Sequence, residues 1–336
     1  MSHTLLGRVS AGEDLGQEEM AGVIDEIMRG TWADEQIGLL LTALRAKGES
    51  VAEVAGAASA MRQHMTPIRT HRENLVDTCG TGGDGAGTFN ISTAAALVTA
   101  AAGVPVAKHG NRKISSRTGS ADVLAALGVN IEAPVRLVER CLDELGIGFC
   151  FAPQLHPAMK HVAAVRRKLA VPTIFNLLGP LANPAGAGFQ LLGVGRPELR
   201  SLLAAALAKL GTRRAIVVCG ADGLDEVTLG GQTHLTLVEG DHLSETSWLP
   251  QDFGFERQEL STLEATDPNS SAAIIRSILA GETGPAREIV VVNAAAAIWT
   301  TGSCADLHEA ARRAEQAIDD GSSRQLLERL ADLSHR

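Results

Sequence analysis

The residues from Asp77 to Ser120 carry the densest chemistry in the chain. Gly80, Gly82, Gly83, Gly85 and Gly87 crowd around Asp84; the hydroxyls of Thr88, Ser92 and Thr93 follow, and Lys108, His109, Arg112, Lys113 and Arg117 come last. Glycines at this density let backbone N–H groups approach a ligand closely and adopt positive φ without a Cβ penalty. Consecutive N–H groups of that kind form an anion-binding concavity. Ser92 and Thr93 open the alanine-rich run Ala94 to Ala102, and the free N–H groups at that helix start would point back at the same loop. No Asp or Glu stands between Gly85 and Ala121, although the chain holds 39 acidic residues against 30 Lys plus Arg. The expected ligand is a phosphate ester, with several phosphates.

Two better-known glycine motifs fail on this stretch. Gly80, Gly82 and Gly85 satisfy the spacing of the dinucleotide-binding fingerprint, but that motif needs an acidic residue about 20 positions on to hold a ribose hydroxyl. The chain offers Lys108 there. A P-loop needs lysine after its last glycine, and Ala86 follows Gly85. Glycine clusters are also common in plain turns; the acid-free window argues against that reading.

Those groups need a scaffold, and the composition allows a large one. The chain has 336 residues, 45% hydrophobic and 21% charged, which suits a globular protein of one large or two smaller domains. A net charge of −9 argues against general binding to nucleic acid or an anionic membrane. Cys79, Cys141, Cys150, Cys219 and Cys304 are odd in number and never in Cys-x-x-Cys spacing, so neither a disulfide framework nor a zinc site is expected. With no apolar signal segment at Met1 to Arg8 and no stretch of 18 apolar residues, a cytoplasmic location is expected.

Residues 15 to 65 read as three helices. Met20, Val23, Ile24, Ile27 and Met28 fall at helical spacing before Gly30, and Ile37, Leu40, Leu41 and Leu44 repeat the pattern before Gly48. Ser50 to Glu53 is a capping box opening the third. Gly38, Ala43 and Ala55 to Ala58 are small enough to permit close helix approach between subunits, so a homodimer through this region is expected. After Pro67 strands alternate with helices, which predicts an α/β domain with a largely parallel sheet. Strands are expected at Val76 to Cys79, Val104 to Lys108, Ala215 to Cys219 and Glu288 to Val292. Helices are expected at 92–102, 120–127 with Ser120 as N-cap, 134–145, 157–168, 197–210, 270–280, 293–301 and 304–320. The proline- and glycine-punctuated stretch from Pro172 to Pro184 reads as a crossing between domains or a structural turn. The expected division is a small helical domain at residues 1–70, joined by part of 160–190, and an α/β domain at 71–336.

Seven blocks in register resemble anthranilate phosphoribosyltransferases. They are Gly80 to Asp84, Phe89 to Thr93, Lys108 to Arg112, Gly119 to Asp122, His156 to His161, Asn176 to Leu181 and Gly223 to Glu226, and the resemblance runs in order from the helical N-terminal region to the C-terminal helices, covering essentially the whole chain. The resemblance implies a fold like that of thymidine phosphorylase and a Mg²⁺-dependent transfer of the phosphoribosyl group of phosphoribosyl pyrophosphate to the amine of anthranilate, in tryptophan biosynthesis. It also implies that Gly80, Gly83, Asp84, Thr88, Asn90, Ile91, Ser92, Thr93, Lys108, His109, Gly110, Asn111, Arg112, Lys113, Ile114, Ser115, Ser116 and Ser120 surround phosphoribosyl pyrophosphate. Asp225 and Glu226 match metal-binding positions, with Ser92 as a further ligand, for two Mg²⁺ ions per subunit. An adjacent acidic pair on a loop is a hard oxygen site suited to Mg²⁺. Arg166, Asn111 and Gly80 match anthranilate-contacting positions, with His109 a weaker candidate. Neighbouring Arg166 and Arg167 face different ways on a helix, and a guanidinium fork suits a carboxylate.

No protein nucleophile or general base is expected, because the aniline nitrogen attacks the ribose carbon directly. Lys113-Ile114 and Arg117-Thr118 depart slightly from the family pattern. The alternatives are a pyrimidine nucleoside phosphorylase and a non-catalytic nucleic-acid-binding relative. Asp225, Glu226, Arg166 and the negative net charge argue against the second.

Overall fold

The computed structural model describes residues 2–112 and 118–336. Its N-terminal part is all helical: α1 (Ser2–Ser10), α2 (Gln17–Met28), α3 (Asp34–Lys47) and α4 (Val51–Gln63). The first of these was not foreseen. Helices α2 and α3 bury the apolar faces expected of them. The Ser50 cap also forms: Ser50 Oγ accepts from Glu53 N at 3.3 Å, and Glu53 Oε2 accepts from Ser50 N at 2.8 Å. Gly56 brings α4 against α2 so closely that a Cβ there would lie 2.2 Å from the Gln17 carbonyl oxygen. Ala55 to Ala58 are thus buried within the chain itself, and a subunit contact cannot draw on them.

The rest of the chain builds one seven-stranded sheet from β1 (Val76–Gly80), β2 (Val106–Gly110), β3 (Ile147–Phe151), β4 (Phe189–Gly193), β5 (Arg214–Gly220), β6 (Thr233–Glu239) and β7 (His242–Trp248). Its order is β3-β2-β1-β4-β5-β6-β7. The first five strands run parallel, and β6 and β7 extend the sheet antiparallel. Strand order reverses between β1 and β4, the switch point where open α/β sheets leave a crevice beyond the strand C-termini. One face of the sheet packs on α5 (Ile91–Ala101) and the helix Pro285–Thr300. The other shares an apolar cluster with α2 to α4 that runs through Val162, Val165, Ile174, Phe175 and Leu178 to Leu192 and Val217.

The sequence expectations need four corrections. Glu288 to Val292 is not a strand but the first half of the helix Pro285–Thr300. Ile289 to Ile298 is buried all round, so it has no periodicity to separate helix from strand, while the proline at its first position signals a helix start. Strands β3, β4, β6 and β7 were missed, as was the helix Ser322–Ser334. Ser120 does not cap its helix: Gly119 holds the N-cap position, and Ser120 Oγ instead donates to the Asn111 carbonyl at 3.4 Å. Residues 157–168 form a 3-10 turn, Pro157–Met159, followed by the helix Lys160–Leu169.

Candidate active site

A cavity of about 540 Å³ opens at the switch point. Its floor is made by chain ends that only small residues permit. Gly80 and Gly193 are paired at the tips of β1 and β4, and a Cβ on Gly193 would lie 1.6 Å from the Asp225 carbonyl oxygen. A Cβ on Gly195 would meet Asp84 Cα at 2.9 Å. The loop above is as open as its composition implies, since Gly82, Gly83, Gly85 and Gly87 all have φ between 65° and 85°. Asp225 Oδ2 ties it down by accepting from Gly82 N at 2.9 Å.

Of the site residues expected from sequence, Gly80, Gly83, Asp84, Thr88, Asn90, Ile91, Ser92, Lys108, His109, Gly110, Asn111, Arg112, Ser120, Asp225 and Glu226 all line this cavity. Thr93 does not: it is fully buried, and its hydroxyl is turned onto Asn90 Oδ1. Lys113, Ile114, Ser115 and Ser116 lie outside the described residues. Arg112 lines the cavity but is engaged elsewhere, with Nη1 3.5 Å from Asp122 Oδ1 and Nη2 3.0 Å from Glu132 Oε1.

Lys108 is the buried cation of the site. Its Nζ donates to the Thr78 carbonyl at 2.6 Å and to Ser92 Oγ at 3.3 Å. Burial pulls its pKa down, and the charges of Asp77 and Glu226 push back. Asp77, buried beneath it, accepts from His109 N at 3.1 Å, and burial raises its pKa to about 6. Asp225 and Glu226 carry the opposite excess. Burial, then the charge of Asp84, raises Asp225 to about 7. Burial and the charge of Asp225 push Glu226 well above the carboxylate range, against the pull of Lys108 and a Ser92 backbone N–H. The start of α5 therefore already supports a carboxylate with one of its free N–H groups.

Crowded, underneutralised oxygen donors of this kind fit a hard divalent cation. Mg²⁺ is such an ion: it takes one or two carboxylates and fills its octahedron with water and substrate phosphates.

A histidine pair closes the inner wall. His109 Nδ1 lies 3.0 Å from the Gly179 carbonyl and His109 Nε2 lies 3.1 Å from His156 Nε2. The carbonyl can only accept, so Nδ1 of His109 carries the proton and its Nε2 accepts from His156. Burial holds both rings neutral, His109 at about 3 and His156 at about 4.

Arg166 stands apart from the cavity lining. Its Nη2 donates to Asn176 Oδ1 at 3.4 Å and its guanidinium lies 5.7 Å from the Phe175 ring centre, while Arg167 is exposed. The short helix Phe175–Leu178 connects it to the site, since Asn176 meets Arg166 and the next turn presents the Gly179 carbonyl to His109.

Residues 72–324 match the glycosyl transferase family α/β domain, and residues 3–65 match the helical bundle domain of the same family. The anthranilate phosphoribosyltransferase of Anaeromyxobacter sp. (strain Fw109-5) is 50% identical over 330 residues, 98% of each chain. The chain belongs to the anthranilate phosphoribosyltransferase family. The crystal structure of the family member from Thermus thermophilus superposes with a TM-score of 0.92 at 44% identity, covering 98% of this chain and 99% of that one. The Saccharomyces cerevisiae family member in complex with phosphoribosyl pyrophosphate and Mg superposes with a TM-score of 0.87 at 27% identity, covering 96% and 94%.

Membership in the anthranilate phosphoribosyltransferase family makes the chain a phosphoribosyltransferase and accounts for the helical bundle set on a mostly parallel sheet. Reading the sequence missed Gly193 and Gly195, without which Asp225 and Asp84 could not reach the cavity. The available signal was a Gly-x-Gly spacing at the end of an apolar run.

Proposed function

We propose that this chain transfers the phosphoribosyl group of phosphoribosyl pyrophosphate to the amine of anthranilate, releasing pyrophosphate, as a step of tryptophan biosynthesis. One observation carries the reading: backbone N–H groups, a buried lysine and a surplus of half-buried carboxylates converge on a single cavity at the switch point. In this reading the loop from Gly80 to Thr88, with Asn90, Ile91 and Ser92, binds the pyrophosphate end, and Thr93 holds Asn90 from behind. Lys108 sits where charge develops as that group leaves. His109, Gly110, Asn111, Arg112 and Ser120 enclose the phosphoribosyl portion; Lys113, Ile114, Ser115 and Ser116, which the resemblance adds to this set, lie outside the described residues.

Asp225, Glu226 and Ser92 would hold Mg²⁺, two ions per subunit, which when bound offset the charge of the departing pyrophosphate. The amine nitrogen forms its bond to ribose C1 as the C1–oxygen bond to pyrophosphate breaks, and the surplus amine proton passes to solvent. Anthranilate is already unprotonated at its amine near pH 7, so no strong base is required. The His109 ring nitrogens are both engaged, which leaves that ring to shape the wall. Arg166 pairs with the anthranilate carboxylate, with Asn111 and Gly80 beside it. Catalysis is then positioning plus electrostatic stabilisation.

The same proposal assigns residues 1–70, with part of 160–190, to a helical domain and 71–336 to the substrate-binding domain. It places the protein in the cytoplasm as a homodimer formed through the helical domain. Leu39, 60% exposed on α3, supports that face as a contact.

The test is loss of anthranilate fluorescence on adding phosphoribosyl pyrophosphate with and without Mg²⁺. Arg166→Ala should raise the anthranilate concentration needed at least tenfold while leaving the need for phosphoribosyl pyrophosphate close to wild type. No Mg²⁺-dependent loss in the wild-type protein would sink the proposal.

A further inference from the structure

The catalytic cavity uses the C-terminal ends of β1 and β4, and a second cavity lies at their N-terminal ends. It has a volume of about 390 Å³, and Arg69, Arg72 and Arg213 line it with no Asp or Glu among the lining residues. Each strand has five residues, so roughly 16 Å of sheet separates the two cavities at 3.3 Å per residue.

Two of the three arginines are held in place before any ligand arrives. The stem of Arg213 lies against Gly188, where a Cβ would meet its Cδ at 3.1 Å. Its guanidinium stands 4.8 Å from the Phe189 ring centre, and its Nη1 donates to Asn74 Oδ1 at 3.1 Å. Arg72 grips the Asp143 carbonyl with Nε at 3.2 Å and Nη2 at 2.8 Å, which leaves the Nη1 side of the fork for another acceptor. The nearby carboxylates are turned onto the loop backbone: Glu139 accepts from Arg69 N at 2.8 Å, and Asp143 accepts from Thr70 Oγ1 and His71 N. Asn74 takes φ of +56°, one of two non-glycine residues with positive φ among the described residues, a conformation that side-chain-bearing residues adopt at a cost.

We propose that this cavity is a second anion site, separate from the catalytic one, which takes a phosphate dianion, free or as a monoester, between Arg72 and Arg213. Guanidinium forks match phosphate oxygens in pairs. Both forks are pre-ordered by neutral acceptors and an aromatic face, so little side-chain freedom is lost on binding. The cavity is larger than one phosphate and leaves room for an esterified group. Its arginines are exposed, so binding should weaken as salt rises.

The test is isothermal titration of the full-length protein with inorganic phosphate and, in parallel, glycerol 3-phosphate, at ionic strength matched with chloride. Wild type and Lys108→Met should both show the site, while the double variant Arg72→Met and Arg213→Met, which keeps the apolar stems, should lose at least tenfold in affinity and keep the wild-type KM for phosphoribosyl pyrophosphate. Tighter binding of glycerol 3-phosphate than of inorganic phosphate would identify the monoester as the ligand; the reverse would identify free phosphate. Arg213→Lys, which keeps the charge without the fork, should lose at least threefold; binding as tight as wild type would reduce the site to a general basic patch and overturn the assignment. The proposal also fails if phosphate binds no better than chloride, or if its binding is lost in Lys108→Met alone.

Discussion

Two groups of carboxylates in this molecule differ in how their charge is met. In the helical part, fully buried Glu53 accepts from Leu15 N at 3.0 Å, Ser50 N at 2.8 Å and Lys47 Nζ at 2.7 Å, and Lys47 also reaches Asp14. Every oxygen has its partner inside the chain. At the tips of β1 and β4, half-buried Asp84, Asp225 and Glu226 lie close together; among the described residues they are met by Lys108 and by the N–H groups of Gly82 and Ser92, and two of the three are still driven toward protonation. Glu53 is fully buried and the three at the strand tips are half-buried, but the larger difference is completeness. A carboxylate whose partners all come from its own chain serves the fold, whereas one left short is arranged for something that arrives from outside.

The contrast breaks if both groups respond alike to substitution. The largest expected effect is at Glu53: Glu53→Ala takes the acceptor from the Leu15 and Ser50 N–H groups and leaves buried Lys47 with Asp14 alone, and should cost about 3–5 kcal/mol of stability, read as a lower denaturant midpoint with kcat near wild type. Asp225→Asn should do the reverse, costing about 2.7–4 kcal/mol of transition-state stabilisation, a 10²–10³-fold loss in kcat, with a thermal midpoint equal to or above wild type because a like charge is gone. A destabilised Asp225→Asn with normal turnover would assign that group to the fold.

The histidine pair sharpens the comparison through pH. The folded-state pKa values of His109 and His156, about 3 and about 4, lie below the unfolded value of about 6.5. The stability they contribute is therefore complete above pH 6.5 and is lost as pH falls from there toward 4, because only the unfolded rings take up protons. At pH 5 each ring costs roughly 2 kcal/mol. Asp77, Asp225 and Glu226 work in the opposite sense, since their raised pKa values favour the folded state as pH falls. The histidine contribution is therefore read against a variant: in denaturant titrations at pH 7 and pH 5, the change on acidification should be roughly 2 kcal/mol more favourable in His156→Gln than in the wild type. The smallest effect belongs to half-exposed Arg8, which bridges Glu13 and Glu19 at the surface: Arg8→Ala should leave the thermal midpoint where it was.

How much of this could be read from the chain depends on whether the relevant residues are contiguous. The glycine loop, Ser92 and Lys108 lie within 30 residues, so their joint chemistry was visible before any fold was known, and the helices of residues 15 to 65 announced themselves by apolar period and caps. Asp225 and Glu226 were visible only through resemblance, because an acidic pair on a loop has no feature that separates it from a solvated turn. Strand β4 and the Ile289 to Ile298 run were obscured because they are buried on all sides, which removes the alternation that tells strand from helix. The partners of Arg112 and the inward burial of Ala55 to Ala58 depend on packing between distant elements, and no local pattern encodes them.

The hydrogen bond from Gly82 N to Asp225 Oδ2 joins residues 143 positions apart, and this has a consequence for how the protein is made. Domains fold as the chain leaves the ribosome, and contacts between distant residues wait for the later partner. The glycine loop is synthesised early, but β4, which flanks it, and the acidic turn that fastens it come more than a hundred residues later. While the 143 positions between Gly82 and Asp225 are being made, the chain therefore carries an unfastened run of glycines without the turn that fixes it. The capacity to bind substrate emerges late, after the turn at Asp225 has cleared the exit tunnel, and a chain terminated before that turn would have the sequence motif without its chemistry.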